Sequence, residues 1–417
     1  MDMQSKAKNL IEMIQTAPVE WKPLGEVGLL VRGNGLQKKD FTESGVPAIH
    51  YGQIYTYYGN QTDKTLSFVS PELAEKLKKV DKGDVVITNT SENIEDVGKA
   101  LLYLGEEQAV TGGHATIFKP SKEIVGKFFV YFTQTEIFDK AKRKFAKGTK
   151  VIDVSATDMA KIQIPIPPLE TQQKIVKILD KFTELEATLE AELALRKRQY
   201  RYYRDFLLDF DNQIGGGIAD GYQCRLKDVV WKTLGEVAEY SKNRICSDKL
   251  NEHNYVGVDN LLQNREGKKL SGYVPSEGKM TEYIVNDILI GNIRPYLKKI
   301  WQADCTGGTN GDVLVIRITD EKVNPKYLYQ VLADDKFFAF NMKHAKGAKM
   351  PRGSKAAIMQ YKIPIPPIPE QEKIVAILDK FDTLTHSISE GLPHEIALRR
   401  KQYEYYREQL LNFPRSH

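Results

Sequence analysis

Long apolar runs and paired cysteines are missing from this 417-residue chain. No window approaches eighteen consecutive apolar residues, so we expect no membrane-spanning helix and no membrane partner. The polar N-terminus MDMQSKAKNLIEMIQTAP does not have the pattern of a secretory signal. Cys224, Cys246 and Cys305 form an odd set without C-x-x-C spacing. The cysteines therefore predict reduced thiols in a cytoplasmic protein.

Motifs for nucleotide and methyl-group chemistry are also missing. The chain has no G-x-x-x-x-G-K-[ST] loop for a motor ATPase. A DNA methyltransferase needs a polar residue before Pro-Pro and an aromatic residue after it. Here Pro167-Pro168 and Pro366-Pro367 follow isoleucine and precede Leu or Ile. Neither pair can grip a target amine.

Metal sites are equally poorly supported. Asp259, Glu277 and Lys279 match a metal-dependent nuclease only loosely. The seven histidines show no ligand spacing: His50, His114, His253, His344, His386, His394 and His417. We predict a chain that catalyses nothing and carries no metal or cofactor of its own.

Positive charge is present and unevenly distributed. The formal net charge is only +5, but three stretches contain no acid. They are Lys140–Lys150, Arg196–Arg204 and Lys343–Lys355, and the second is interleaved with tyrosines. Basic clusters of this kind attract phosphate, although a solvated basic face is the alternative for any single run. Because two of the runs occupy matching places in a repeat, we favour nucleic acid as the partner.

The chain contains a long internal repeat. IPIPPLETQQKIVKILDKF, from Ile164, and IPIPPIPEQEKIVAILDKF, from Ile363, align without a gap and share fourteen of nineteen residues. ALRKRQYRYYRDFLLDF, from Ala194, returns as ALRRKQYEYYREQLLNF, from Ala397, after four additional residues near Gly391. WKPLGEV, KFAKGTK and TGG have weaker counterparts. Each copy is thus a variable block followed by a constant block, as in a duplicated domain.

The constant block predicts a long helix. Residues before proline avoid the α region, so we expect IPIPP to be extended. A helix can start near its last proline, and a helix from about residue 168 to 209 would span on the order of 60 Å. Apolar residues then follow heptad spacing in both copies: Ile175, Ile178, Phe182, Leu185 and Leu189, and Ile374, Ile377, Phe381, Leu384 and Ile388. We call each set of apolar residues a seam. A seam can be buried within its own domain or can pair with the other seam, and we favour pairing of the two seams. Pro393 should interrupt the second helix.

The variable blocks predict mixed α and β structure. GDVVITNT, HATIFKP, NDILIGNI and DVLVIRI are typical of strands, and VYFTQTEIFDKAKRKF and KYLYQVLADDKFFAFNMK have helical periodicity. Gly215, Gly216 and Gly217 mark a linker between the copies.

Candidate DNA-binding residues occur at several places in these blocks. Tyrosine beside Gln or Asn can stack on bases or reach their edges, and Lys and Arg can contact phosphate. Half-buried strand packing is the alternative for the tyrosines. The candidates are Tyr51, Gln53, Tyr55, Asn89, Arg143, Lys144, Lys147, Lys150, Lys242, Asn243, Arg244, Asn292, Arg294, Tyr296, Lys298, Lys299, Lys343, Lys346, Lys349 and Arg352.

The duplicated IPIPPLETQQKIVKILDKF block, the RKRQYRYYR segment and NDILIGNIRPYLKKIW resemble the specificity subunit of type I restriction-modification systems. The resemblance spans nearly the whole chain. It implies an α+β fold in which two α/β target recognition domains are joined by two long antiparallel conserved helices, a coiled-coil spacer with pseudo-twofold symmetry. The expected segments are recognition domain 1 (1–160), conserved helix 1 (161–210), a linker (211–230), recognition domain 2 (231–360) and conserved helix 2 (361–417).

The resemblance also implies a function. Each recognition domain would read one half of a bipartite, asymmetric sequence in double-stranded DNA, and the helices would fix the gap. Two modification (methyltransferase) subunits would dock on the repeated frame, joined by restriction subunits. S-adenosylmethionine, ATP and Mg would belong to those partners. An autonomous two-headed regulator and a single-chain restriction or modification enzyme are the rival hypotheses.

Overall fold

The computed structural model describes residues 3–16, 19–210, 229–387 and 389–415. Two compact units make up the chain. We call Met1–Thr188 with Ile396–His417 unit 1, and Leu189–Glu395 unit 2. The predicted glycine linker and Cys224 lie outside the described residues, whereas Cys246 and Cys305 are free thiols.

The first copy of the repeat contains seven α-helices and thirteen strands among its described residues. The helices are α1 Met3–Thr16, α2 Tyr51–Thr56, α3 Pro71–Lys76, α4 Gly126–Phe132, α5 Glu136–Arg143, α6 Ala156–Met159 and α7 Leu169–Leu207. The strands are β1 Glu20–Pro23, β2 Gly28–Arg32, β3 Val46–Ile49, β4 Gln61–Thr62, β5 Ser67–Val69, β6 Lys78–Val80, β7 Val85–Thr88, β8 Thr90–Ser91, β9 Ala100–Tyr103, β10 Ala109–Thr111, β11 Ala115–Pro120, β12 Ile152–Asp153 and β13 Gln163–Ile166.

The second copy has a related order with fewer elements. Its helices are α8 Leu234–Val237, α9 Pro325–Leu332, α10 Asp335–Lys343, α11 Lys355–Met359, α12 Ile368–His386 and α13 Leu392–Leu411. Its strands are β14 Val230–Thr233, β15 Ala238–Tyr240, β16 Arg244–Cys246, β17 Tyr255–Val256, β18 Lys279–Tyr283, β19 Ile288–Gly291, β20 Ile300–Gln302, β21 Gly307–Thr309, β22 Val313–Ile318 and β23 Lys362–Ile365. The predicted strands and helices of the variable blocks are confirmed, with each helical stretch divided in two by an N-cap, Thr135 or Asp334.

Each unit contains two sheets with related strand orders. In unit 1 the strand orders are β2-β11-β7-β9-β4 and β5-β3-β10-β6, and in unit 2 they are β15-β22-β19-β20 and β16-β18-β21-β17. In the parallel pairs β3–β10 and β17–β21, a threonine hydroxyl donates to the carbonyl of the residue paired with it: Thr111 to Ile49 at 2.8 Å and Thr309 to Val256 at 2.5 Å. Strands buried on both faces, such as β7 and β19, explain the continuous apolar runs.

The constant block joins each variable block through an extended segment and one glutamine. Trp21 pairs with Pro165 across β1–β13, and Trp231 pairs with Pro364 across β14–β23. Just beyond, the fully buried amide of Gln172 donates to Glu123 O and Pro167 O at 2.9 and 2.8 Å, and it accepts from Val125 N at 2.8 Å. Gln371 makes the same three bonds to Lys322, Pro366 and Asn324. This glutamine, identical in the two copies, fixes the start of each long helix.

The long helices pair antiparallel, as predicted. In unit 1 Phe182 of α7 stacks on Tyr406 of α13 at 5.2 Å, and Glu186, further along α7, pairs with the earlier Arg400. In unit 2 Tyr203 of α7 stacks on Phe381 of α12 at 5.3 Å. The α7 helix is continuous over 39 residues and contributes to both units.

The prediction that the two seams pair with each other is wrong. Ile175, Ile178 and Phe182 lie in a core with Tyr403 and Tyr406, whereas Ile374, Ile377 and Phe381 belong to a core with Tyr200. Leu185, Leu189 and Leu384 are only half-buried, and Ile388 lies outside the described residues. The reason is geometric, because antiparallel packing sets the beginning of one constant block against the tyrosine-rich end of the other.

The second long helix is interrupted, as predicted from Pro393. The α12 helix ends at His386 and α13 begins at Leu392. A Cβ on Gly391 would lie 2.3 Å from Thr383 O, so the connection packs closely on the last turn of α12. The four-residue insertion therefore breaks the helix instead of adding a turn to it.

Candidate nucleic-acid interface

Two buried asparagines occupy the same position in the two units. Asn89 follows β7 and Asn292 follows β19. Their backbone groups make matching bonds: Asn89 N donates to His114 O and Asn292 N to Asp312 O, both at 2.8 Å. Side-chain exposure is 0% for Asn89 and 8% for Asn292. Among the described residues, neither the oxygen nor the nitrogen of the Asn89 amide has a hydrogen-bond partner, and Asn292 Oδ1 has none either. Buried amides without partners are rare, and they mark positions where a ligand or water can complete the bonding.

The chain beyond each asparagine pairs with the end of a basic loop. In unit 1 β8 pairs antiparallel with β12, and Val154 N donates to Asn89 O at 3.0 Å. In unit 2 a bridge joins Ile293 to Arg352, and Gly353 N donates to Asn292 O at 3.1 Å. The structure thus brings Asn89 to the Lys144–Lys150 run and Asn292 to the Lys343–Lys355 run.

Each basic loop is a tight turn closed by two reciprocal backbone bonds. Lys147 and Asp153 exchange bonds of 3.0 and 2.8 Å, and Lys346 and Arg352 exchange bonds of 2.8 and 2.9 Å. Gly148 and Gly347 hold φ values of +100° and +102°, which favour glycine. In these turns and at the helix ends just before them lie exposed lysines that form no ion pair within the described parts of the chain: Lys144, Lys150, Lys343, Lys346 and Lys349.

Three other candidate cations of these runs already have carboxylate partners. Arg143 contacts Asp139 at 2.6 Å and Glu95 at 3.1 Å. Lys147 pairs with Asp158 at 3.1 Å, and Arg352 pairs with Asp312 at 3.1 Å. Because the three cations are exposed, an incoming phosphate could replace their carboxylate partners at small cost.

Unit 1 adds an aromatic cluster beside Asn89. The Tyr51 ring lies 4.9 Å from the His114 ring and 4.5 Å from His50. Burial lowers the pKa of His50, and the positive charges of His114 and Lys38 act in the same direction. Burial also raises the pKa of Tyr55. Gln53, in contrast, is half-buried and already bonded to Ser67 Oγ and His50 N at 2.7 and 3.3 Å.

Unit 2 presents a basic loop, residues 293–299, directly after Asn292. Arg294 and Lys298 have φ values of +52° and +51°, and Tyr296 between them is half exposed. The ammonium groups of this loop are engaged: Lys298 Nζ lies 2.7 Å from Asp335 Oδ1, and Lys299 Nζ donates to Val258 O at 2.6 Å. Burial lowers the pKa of both lysines.

Lys242, Asn243 and Arg244 lie at the start of β16, the edge strand of the other sheet. Lys242 pairs with Glu239 at 2.7 Å, and an Arg244 guanidinium nitrogen lies 3.1 Å from Thr281 Oγ1. Their contact with DNA stays a prediction.

Two further observations limit the chemistry of the described residues. No group of three or more His, Cys, Asp and Glu side chains among them is placed to hold a metal ion. None of the helices in those ranges is long and apolar enough to cross a membrane.

A family model for the type I restriction modification DNA specificity domain matches residues 18–195 and again 227–398. The chain belongs to the type I restriction-modification specificity subunits. Among its relatives is the EcoR124I/EcoR124II specificity subunit of Escherichia coli, 30% identical over 429 residues that cover 99% of this chain and 98% of that protein. The EcoprrI specificity subunit of Escherichia coli is 26% identical and covers 93% of both chains.

Solved structures of specificity subunits share the fold. The type I S subunit from M. genitalium matches with a TM-score of 0.53 and 15% identity, covering 96% of this chain and 98% of that one. A chain from a type I R-M system structure concerned with complex assembly and conformational transition gives a TM-score of 0.56 at 16% identity, covering 95% and 98%. Specificity subunits are non-catalytic DNA-recognition subunits.

Sequence reasoning missed three of the side chains that define this specificity-subunit frame. Gln172 and Gln371 were detectable as identical positions inside the repeat, but nothing in the sequence indicated three buried bonds for each. Asn341 is 1% exposed with both amide atoms unpartnered among the described residues, and it occupies the position that Lys142 fills in unit 1. Only the structure reveals that Asn341 and Asn292 both face Gly353, where a Cβ would lie 2.3 and 2.8 Å from their oxygens.

Proposed function

We propose that this chain is the sequence-specific DNA-binding subunit of a type I restriction-modification complex, and that its two recognition domains read unlike halves of a bipartite, asymmetric target. The main support is that the two units share backbone positions but carry different side chains at them. The backbone partner of the buried asparagine is His114 in unit 1 and Asp312 in unit 2. The residue after the parallel strand is His50 in unit 1 and Gly257 in unit 2. A true homodimer would carry identical readers and recognise a palindrome.

The constant blocks serve as spacer and scaffold in this proposal. The duplicated helices offer equivalent surfaces to two copies of one partner, the modification (methyltransferase) subunit, and restriction subunits complete the complex. S-adenosylmethionine, ATP and Mg bind to those partners in the cytoplasm. The stoichiometry is tested by native mass spectrometry of the co-expressed subunits, with two modification subunits expected for each chain. A single bound copy would contradict the scaffold role.

A domain exchange tests the two-headed reading directly. Residues 22–160 are replaced by the recognition block of another specificity subunit, and the methylated motif is read by sequencing genomic DNA from a host that expresses the complete system. One half of the gapped motif should change and the other half and the gap should persist. A change in both halves would rule out independent recognition domains.

The rival reading, an autonomous two-headed regulator, predicts a different outcome. The purified chain would then bind its target alone, and deleting it would leave host methylation unchanged. Loss of every instance of the gapped motif on deletion supports the restriction-modification role.

A further inference from the structure

The proposed function leaves the cations of the acid-free run Arg196–Arg204 without a role. This run lies on the second half of α7, within unit 2. There it forms one wall of a cleft with a volume of about 280 Å³. Five cations line what we call the cationic cleft: Lys197, Arg201, Arg204, Arg265 and Lys298.

The opposite wall is built from two loops with left-handed backbone. Arg265 has a φ of +69° and Lys298 a φ of +51°, and Arg265 N donates to Lys298 O at 3.0 Å. Left-handed conformations are unfavourable for residues with a Cβ, and they concentrate at functional sites. Here they bring two cations from different loops to face the basic run of α7.

Carboxylates neutralise only part of this charge. Asp335 accepts from both Arg265 and Lys298, and Asp382 contacts His386 at 3.1 Å. Glu266 is the third acid on the wall. Lys197 and Arg201 form no ion pair with any residue that the structure describes. The cleft therefore holds more positive than negative charge.

Arg204 is a buried donor that still needs an acceptor. It is 4% exposed and packs over the Tyr200 ring at 5.6 Å, yet its Nε has no hydrogen-bond partner among the described residues. The carboxylate oxygen paired with it, Asp205 Oδ1, lies 4.0 Å away, which is too far for a hydrogen bond. Burial lowers the pKa of the neighbouring Arg265 guanidinium to about 10, and the charge of Arg204 adds to that effect. An anion in the cleft would satisfy Arg204 and relieve the repulsion between these cations.

The matching groove of unit 1 has the opposite character. Arg407 packs over Tyr403 at 5.3 Å, as Arg204 packs over Tyr200, but Glu404 occupies the position of Arg201. Acids predominate along that groove: Glu136, Asp139, Glu404 and Glu408. The positive charge is thus specific to unit 2 and is not a general property of the tyrosine-rich segment.

We infer that the cationic cleft of unit 2 binds a phosphate group. The planar forks of Arg201 and Arg204 suit paired hydrogen bonds to phosphate oxygens, and the ammonium groups of Lys197 and Lys298 supply point charges around them. A DNA backbone phosphate and a free phosphate ester share this chemistry.

Thermal unfolding of the full chain in inorganic phosphate, against sodium chloride of equal ionic strength, tests the site. A bound anion stabilises the folded chain in proportion to its occupancy, so phosphate should raise Tm above the chloride value. Arg201→Glu, which copies the residue of unit 1, should weaken the apparent phosphate affinity at least about tenfold because attraction becomes repulsion. Lys197→Glu should act in the same way. Arg201 is exposed on α7 and Lys197 is half-buried, and an unchanged Tm in chloride will show that the variants fold.

Arg198→Glu is the matched control, because it makes the same charge change on the same helix outside the cleft. Its phosphate affinity should stay within about twofold of the parent, since only screened long-range charge changes. Equal loss in Arg198→Glu, or a parent chain that responds alike to phosphate and chloride, would overturn the proposal. So would a glutamate-rich peptide that binds the cleft while phosphate does not.

The source of the phosphate is resolved by measuring the salt dependence of DNA binding by the assembled complex. If a DNA phosphate fills the cleft, Arg201→Glu should reduce the slope of log K against log salt by about one. If a free phosphate ester fills it, that slope should remain at the parent value while the inorganic phosphate effect on Tm is lost. Sequence-specific methylation is scored in parallel, so failure of the phosphate site is distinguishable from failure of the recognition role.

Discussion

At the scale of single residues, hydrogen bonding distinguishes buried polar side chains that stabilise the fold from those that are candidates for recognition. Thr111 and Asn89 are both fully buried, but the Thr111 hydroxyl donates to Ile49 O at 2.8 Å and the Asn89 amide contacts no partner in the described structure. A satisfied group stabilises the fold, whereas an unsatisfied one costs stability in the free protein. Asn89 is therefore a better candidate for recognition than its burial alone would suggest.

This difference gives the first prediction. Asn89→Leu should raise the free energy of unfolding of unit 1 by about 1 kcal/mol, because it removes an unsatisfied amide, and it should weaken target binding by the assembled complex. Thr111→Val is the matched control and should lower stability by about 1 kcal/mol through loss of its bond. Denaturant unfolding and DNA binding measure the two effects. A destabilised Asn89→Leu would show that the amide already has a partner.

The second prediction concerns His50, whose pKa is lowered by burial and by the nearby His114 and Lys38. The folded chain then binds the His50 proton less readily than the unfolded chain. Above about pH 6.5 His50 is neutral in both states and costs no stability, and below that pH the free energy of unfolding falls because the unfolded chain takes up the proton more readily. His50→Asn can still accept from Gly52 N, as His50 Nδ1 does at 3.2 Å, and it has no such titration. Tm measured from pH 7.5 to 5 should fall less steeply in His50→Asn. Identical slopes would contradict the role of His50.

At the scale of elements, the sequence pattern of the constant block predicted the helix but not the partner against which it packs. Heptad spacing and the pre-proline residues predicted α7 from about 168, and α7 begins at Leu169. The partner of each seam was not predictable, because spacing defines an apolar face but not the helix that covers it. Likewise, composition marked Arg143 and Lys144 as equal cations, although Arg143 contacts Asp139 and Glu95 and Lys144 is unpaired in the described structure. Distant carboxylates decide that difference, and only the fold brings them together.

The glutamine that anchors each long helix provides a prediction about elements. Gln172→Ala should destabilise unit 1 by about 3 kcal/mol, because Val125 N and the carbonyls of Glu123 and Pro167 lose their partner while buried. Gln173→Ala, one residue away and exposed, should change little. Hydrogen exchange can follow each unit, and Gln371→Ala should produce the same loss in unit 2 alone. Equal effects of Gln172→Ala and Gln173→Ala would exclude the anchoring role.

The basic loops support a further prediction at this scale. Lys144→Ala or Lys343→Ala should weaken binding to all DNA sequences alike and lower the salt slope by about one, because each exposed, unpaired lysine releases a counterion on contact with phosphate. Lys147→Ala is a useful comparison, since Asp158 already neutralises that lysine at 3.1 Å. A change in sequence preference with an unaltered slope would show that Lys144 or Lys343 contacts bases instead.

At the scale of the whole molecule, one continuous helix and one interrupted helix join the two copies. The α7 helix has 39 residues without a break, whereas the equivalent stretch of the second copy leaves helical conformation between His386 and Leu392. Extra residues in a continuous helix must lengthen it, because each adds about 1.5 Å along the axis. Extra residues in a connection can bulge outward. Although their sequences are related, the two constant blocks therefore differ in how well each can fix the distance between the recognition domains.

Insertions into the continuous helix and into the interrupted helix should therefore have different effects on the gap between the half-sites. Four residues inserted after Glu186 would add about 6 Å to α7, so the gap in the methylated motif should widen by about two base pairs, given a rise of about 3.4 Å for each. The two half-sites should keep their sequences, because both recognition domains are untouched. The same insertion beside Gly391 should leave the gap unchanged, since the existing connection can absorb it. Sequencing of methylated genomic DNA reads both results, and an unchanged gap after the α7 insertion would refute the idea that this helix sets the spacing.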